Sequence, residues 1–248
     1  MSFLYFFIKN IYEEIIDMII NGLQKLTLLD FPGYTACTVF TLGCNMRCPF
    51  CQNKGLVVPD CFEKETLIQE EDILCFLRER KSRLQGICIT GGEPTLQADL
   101  PEFIRKVRNI GYKVKLDTNG TRPGVTRQLL YENLLDYIAM DIKNDPDRYS
   151  MTAGTTVDIN LIRETIDLIK NSGIEYEFRT TVTQELHDES SFHHIVEMVG
   201  HITNYSLQYY EQTDTVINPV YSTPSDDDMT SYKKIMETCA DNVIIKGR

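Results

Sequence analysis

The segment Thr35–Asn53, TACTVFTLGCNMRCPFCQN, joins a strand-like run to three closely spaced cysteines. Residues 35–42 are rich in β-branched and aromatic side chains, which suit a half-buried or buried strand. Gly43 ends that run, and Cys44-x-x-x-Cys48-x-x-Cys51 follows at once. Three thiolates within eight residues can hold a metal centre, and no fourth Cys and no His lies nearby to close it. Iron–sulfur clusters are usually held by four thiolates, and structural zinc by four Cys or His ligands. A three-thiolate loop therefore points to a [4Fe–4S] cube with one iron left open for another ligand. Three buried structural cysteines, or a zinc site completed by a remote residue, are the competing readings.

Working outward, strand-like and helix-like segments alternate from Tyr34 onward. Strand candidates are 35–42, 86–90, 112–118, 136–143, 176–183 and 203–210, with a further apolar segment at 242–246. Helical patterns occupy roughly 66–83, 99–110, 125–134, 158–171, 189–200 and 226–239. Gly or Asn near helix ends, as in NIGYK and NSGIE, matches C-terminal stop signals. The alternation predicts an α/β fold of parallel strands with crossover helices. Polar motifs fall where these strands end: CNMRCPFC, GGEP, DTNG and DIK, in chain order. Functional groups collect at the carboxyl ends of parallel strands in barrels and in open sheets. The four motifs are thus expected to converge on one mouth.

Each motif has a chemical and a structural reading. In Gly91-Gly92-Glu93-Pro94 the glycines let the backbone approach a ligand closely, and Glu93 can accept hydrogen bonds from a bound ammonium group. A tight turn with a solvated Glu93 is the alternative. In Asp117-Thr118-Asn119-Gly120 the Asn-Gly pair is a common turn dipeptide, leaving the oxygens of Asp117 and Thr118 for the mouth. Asp141 and Lys143 fall on one strand face by alternation, as ligand groups or as a surface pair with Asp141 or Asp117 on the acidic side. Arg179 is a charge in an otherwise apolar strand and needs a partner, either a ligand carboxylate or a buried ion pair. His193 and His194 lie on a polar helix, while His187 and His201 are isolated; all four read as surface residues.

The cysteine spacing, with Phe50 just before the last cysteine, resembles the cluster loop of radical S-adenosylmethionine (SAM) enzymes. The resemblance implies a partial (β/α)6 TIM-like barrel. It also implies that Cys44, Cys48 and Cys51 bind a [4Fe–4S] cluster whose open iron chelates SAM. An electron from the cluster then splits the sulfonium to a 5'-deoxyadenosyl radical, so the cofactor carries the chemistry and no protein residue acts as a classical base. Phe50, Gly91, Gly92, Glu93, Pro94, Asp117, Thr118, Asp141, Lys143 and Arg179 are the SAM-contacting positions that it implies, with a monovalent cation as a further ligand of the aspartates. GLQKLTLLDFPG followed by LGCNMRCPFCQN is similar to glycyl-radical activating enzymes, in particular those of anaerobic ribonucleoside-triphosphate reductase. That likeness runs from about Gly22 to Lys143 and thins beyond Thr183. It implies a radical SAM oxidoreductase that abstracts hydrogen from a glycine Cα of a large partner, with a flavodoxin- or ferredoxin-type reductant. The chain has no ferredoxin-like Cys-rich insert before GGEP, as in the simpler activases. It departs from the pattern after Gln208, where Tyr209, Tyr210 and Glu211 replace an arginine-containing segment and leave the substrate open. A small-molecule or peptide substrate, or a non-catalytic metal-binding protein, are the alternatives.

Bulk properties bound these readings. The 248 residues suit one large domain or two small ones, and a hydrophobic fraction of 42% supports a sizeable core. A net charge of −11 argues against sequence-independent binding to nucleic acid. The other five cysteines are scattered rather than paired by spacing, and Cys75 and Cys88 sit in apolar contexts where a free thiol is a small hydrophobe. The start lacks a basic region, and its apolar run from Phe3 to Ile8 is too short for a signal or a membrane span. A reducing, oxygen-poor cytoplasm follows as the expected setting. Residues 1–20 stand apart as an extension, either an amphipathic helix or an extended gene start, and 21–248 form the expected radical SAM domain.

Overall fold

The computed structural model describes residues 18–58 and 67–247. The predicted strands appear as β2 (Ala36–Thr41), β3 (Gly86–Gly91), β4 (Lys113–Thr118), β5 (Tyr137–Asp141), β6 (Glu175–Val182), β7 (Ile202–Tyr209) and β8 (Ala240–Lys246). They follow β1 (Ile20–Thr27) in a single eight-stranded sheet in chain order. β2, β3 and β4 pair in parallel, as do β6, β7 and β8, whereas β1 runs antiparallel to β2. In β2 every side chain but Phe40 is buried, the near-continuous run that a strand covered on both faces requires. β1 is a strand that the sequence reading did not anticipate. Its INGLQKLT buries only Ile20 and Thr27, so it lacks the alternation that marks a half-buried strand.

The helices are α1 (Lys54–Val57), α2 (Glu70–Arg80), α3 (Leu100–Ile110), α4 (Pro123–Tyr131), α5 (Tyr149–Ala153), α6 (Ile159–Lys170), α7 (Glu189–Val199) and α8 (Asp226–Met236). The short α1 and α5 add to the predicted set. Of the expected extension, residues 1–17 lie outside the described residues, and Ile20 already opens β1. No described helix is long and apolar enough to cross a membrane.

The chain forms two compact units. The first contains the described residues up to Asn45, then Asn53–Thr118 and Arg127–Tyr137; the second contains Met46–Gln52, Asn119–Thr126 and the chain from Ile138. In the first, α2 and α3 bury Ile73, Leu77, Phe103, Ile104 and Val107 completely. Each such side chain contributes about 1.5–3 kcal/mol. Gly111 ends α3 with φ +99°, its N–H reaching the carbonyls of Arg108 and Val107, a left-handed cap that glycine adopts without a Cβ penalty. In the second unit, α6, α7 and α8 open on side-chain caps from Asp158, Asp188 and Ser225, each satisfying an otherwise unpaired first-turn N–H. Asp188 and Ser191 form a reciprocal capping box. Glu177 ties the last three strands together: Ser206 Oγ and Lys246 Nζ both donate to its Oε2 at 2.6 Å.

His187, expected at the surface, is instead 3% exposed in the second unit. Its Nδ1 accepts from the Thr183 N–H at 3.2 Å, which leaves Nε2 to donate to the Lys143 carbonyl at 3.0 Å. Burial holds its pKa below the ordinary value, against the smaller opposing effect of those carbonyl and amide contacts. A folded-state pKa below the unfolded one gives stability that is complete above about pH 6.5 and lost as pH falls, because the unfolded chain takes up the proton first. Urea titrations are expected to show unfolding free energy falling by up to about 1.4 kcal/mol per pH unit just below that point. The same series on His187→Gln should lack this slope; an equal slope in the variant would assign it to other groups.

Candidate active site

In the first unit the glycine-rich turn lies against the chain that leads into the cysteines. Gly92 N–H donates to the Thr41 carbonyl at 2.9 Å, and Glu93 N–H to the Gly43 carbonyl at 2.8 Å. Gly91 has φ +115°, and a Cβ there would stand 2.4 Å from Thr41 N; a Cβ on Gly92 would stand 2.1 Å from the Gly43 oxygen. The close approach that the glycines permit is therefore made to chain 41–43. The Gly43 N–H is also used, donating to Leu56 O at 2.8 Å. Both polar groups of the residue preceding Cys44 are held by backbone partners.

Glu93 is 1% exposed. Its Oε1 accepts from the Thr95 N–H at 3.1 Å, from the Thr95 hydroxyl, and from the Thr118 hydroxyl at 2.8 Å. The carboxylate thus caps the 3-10 turn Pro94–Leu96 and is anchored to the end of β4. Pro94 opens that turn, where a missing N–H costs nothing. The turn reading of GGEP holds for its backbone, but Glu93 is buried rather than solvated. Thr118, itself 3% exposed, serves Glu93. Asp117, whose side chain is 12% exposed, makes an ion pair with Lys115.

In the second unit the cysteine loop is pinned from two directions. Arg47 N–H donates to Ala153 O at 2.8 Å, while Asn218 N–H reaches Pro49 O at 2.8 Å and Ile217 N–H reaches Cys51 O at 3.1 Å. Gly154 has φ +63°, and a Cβ there would lie 2.0 Å from the Arg47 oxygen. Met46 and Phe50 of the loop are buried. Asn119 Oδ1 accepts from the Thr121 N–H at 3.1 Å and its hydroxyl at 2.7 Å, so Asn119–Gly120 is the turn expected.

Charge concentrates at the end of β5. Asp141 Oδ2 accepts from Lys143 Nζ at 2.9 Å and Oδ1 from Arg179 Nε at 2.5 Å. β5 stops at Asp141, so Lys143 stands just past the strand end rather than on it, yet the expected pair forms. Burial pushes the Asp141 carboxyl up, but the Arg179 and Lys143 charges prevail and hold it well below the usual carboxylate range. Burial opposes the Lys143 ammonium, and the negative charge of Asp141 outweighs it, raising that group above its ordinary value. Cys48, 6% exposed, feels both: burial pushes its thiol up to about 11, with Lys143 opposing and Cys51 and Asp141 adding. The Asp141, Lys143 and Arg179 side chains keep 29%, 15% and 15% of their surface exposed, so a ligand can reach them.

The donor set suits an iron–sulfur cluster. Cys44, Cys48 and Cys51 are free thiols, Cys44 and Cys51 half-buried, and thiolate is the ligand such clusters take. Binding would remove the proton that burial keeps on Cys48. Among the described residues no three His, Cys, Asp or Glu side chains are grouped so as to hold a single metal ion.

Several contributors escaped the sequence reading. Lys115 sits in KVKLDT, where period-two alternation reads it as solvent-facing, but it is 1% exposed. Gly154 carried a signal, since Gly after YSMTA is a helix stop. Tyr149 Oη, 3.4 Å from the Asp141 carbonyl, carried none.

Known proteins resemble this chain in sequence and in fold. A Methanocaldococcus jannaschii protein named as a glycyl-radical enzyme activating enzyme is 30% identical over 243 residues, 92% of this chain and 95% of that protein. The anaerobic ribonucleoside-triphosphate reductase-activating protein of Escherichia coli K12 is 31% identical over 83 residues, 34% of this chain and about half, 53%, of its own length. The crystal structure of Streptococcus suis SuiB bound to S-adenosylmethionine superposes with a TM-score of 0.65 at 15% identity, over 85% of this chain and 52% of that one. At that identity the likeness is one of fold. The α/β architecture with its mostly parallel sheet is accordingly the expected radical SAM type. The family model of the radical SAM superfamily matches residues 38–199, from β2 through the end of α7, and the chain belongs to that superfamily.

Proposed function

We propose that the protein activates a glycyl-radical enzyme, with anaerobic ribonucleoside-triphosphate reductase as the partner. The observation that carries this reading is the full-length relationship to the M. jannaschii activating enzyme, and the E. coli relative supports the choice of partner. In this reading residues 21–248 form the catalytic domain, and Cys44, Cys48 and Cys51 hold a [4Fe–4S] cluster. When bound, the reduced cluster and SAM supply one-electron cleavage of the cofactor and the power to abstract hydrogen from a glycine Cα.

The protein's own residues bind and orient. Glu93, held by Thr95 and Thr118, offers a fixed carboxylate to the SAM ammonium, a charge-assisted contact. Gly91, Gly92 and Pro94 shape the backbone beside it. Lys143 and Arg179, gathered by Asp141, offer positive charge to the SAM carboxylate. Phe50, buried at 5% exposure, fixes the loop that carries Cys48 and Cys51. Asp117 and Asp141 are the carboxylates available to the cofactor's polar groups and to a monovalent cation. The reductant is a flavodoxin or ferredoxin, and the reaction belongs in an anaerobic cytoplasm.

The test is anaerobic incubation of reconstituted protein with dithionite, SAM and purified reductase. Formation of 5'-deoxyadenosine with a glycyl-radical doublet in electron paramagnetic resonance supports the reading. Cofactor cleavage without that doublet keeps the chemistry and removes the partner. Replacing Cys48 by Ala is expected to abolish cluster assembly and cofactor cleavage together, read from the iron content and the product; a full iron complement in the variant would contradict the ligand assignment. Gly92→Ala places a methyl 2.1 Å from the Gly43 oxygen. It is expected to destabilise the fold by about 1–3 kcal/mol and to weaken SAM binding about 10-fold or more, measured by thermal melting and calorimetry.

A further inference from the structure

Lys115 stands in the middle of β4, flanked by buried Val114 and Leu116, and is itself 1% exposed. A buried ammonium persists only when paired. Its Nζ makes an ion pair with the carboxylate of Asp117, two residues along on the same strand face. It also lies 3.8 Å from Cys88 Sγ and 5.7 Å from the centroid of the Tyr137 ring. Cys88 faces Lys115 directly in the β3–β4 register. Groups from β3, β4 and the first residue of β5 therefore surround the ammonium. Lys113, two residues earlier on that face, is half exposed and pairs with Asp136. Only the inner lysine is spent on Asp117.

We propose that Lys115 is a positioning residue: it fixes the Asp117 carboxylate at the carboxyl end of β4 so that Asp117 meets S-adenosylmethionine in a single orientation. The inference rests on the proposed role of Asp117. An apolar side chain at 115 would remove the buried ammonium that pairs with the Asp117 carboxylate.

A double-mutant cycle tests this. SAM dissociation constants are measured by calorimetry on cluster-reconstituted protein for the parent, Lys115→Met, Asp117→Asn and the double variant, with thermal melts of the same samples without SAM. Each single change is expected to weaken SAM binding about 10–100-fold, and the double variant to bind no more weakly than Asp117→Asn alone. If Asp117→Asn weakens binding while Lys115→Met does not, or if the two effects multiply, the positioning role is overturned and the Asp117 assignment survives. If Asp117→Asn has no effect, the Asp117 assignment and this inference fall together. Should Lys115→Met not fold, Lys115→Gln takes its place in the cycle, with the same outcomes.

Discussion

The approach of Gly92 to Gly43 is the constraint on which the first unit's site depends. The Glu93 N–H meets the Gly43 carbonyl at 2.8 Å, and a Cβ on Gly92 would be 2.1 Å from that oxygen. No side chain fits between the turn after β3 and the chain leaving β2, so the two positions preceding Glu93, 91 and 92, require glycine. The contact sets Cys44 and Glu93 relative to each other through backbone alone. The same turn holds the Glu93 carboxylate buried against Thr95 and Thr118, which in the proposed reading is what presents it to the cofactor.

The second recurring device is the ion pair at a strand end. Asp141 gathers Lys143 and Arg179 in the second unit, and Lys115 meets Asp117 in the first. Such pairs in buried and half-buried positions add little net stability, because desolvation offsets much of the attraction. In the proposed reading their value is geometric: they would hold charged groups in one rotamer before a ligand arrives and so lower the ordering cost of binding it. A polar cofactor with an ammonium and a carboxylate is the ligand chemistry these groups match.

What the sequence disclosed follows from how local the signals are. Helix limits were legible because Gly111, the Asp188–Ser191 pair and Ser225 terminate or cap within a few residues of the helices they serve. The parallel strands were legible from their short, β-branched apolar runs between helical patterns. β1 was not, because its partner β2 and not its own pattern makes it a strand. The cysteine triad, GGEP, DTNG and DIK were visible as motifs, but their internal contacts were not. Thr118 serving Glu93 and Gly154 closing on Arg47 are products of tertiary packing between distant segments, and the Lys115–Asp117 pair within β4 was hidden because burial of that strand face is not visible in KVKLDT. His187 misled for the same reason: nothing in its neighbours announces that Thr183 and Lys143 will occupy both ring nitrogens.

The central claim is that three thiolates hold a cubane whose remaining iron binds the sulfonium cofactor. Its most direct test is the electron paramagnetic resonance spectrum of the anaerobically reconstituted, dithionite-reduced protein, recorded with and without SAM alongside iron and sulfide analysis. The account predicts about four iron and four sulfide per chain and a cluster signal that shifts when SAM is added. A full cluster whose signal ignores SAM, or protein that takes up no iron, would contradict it.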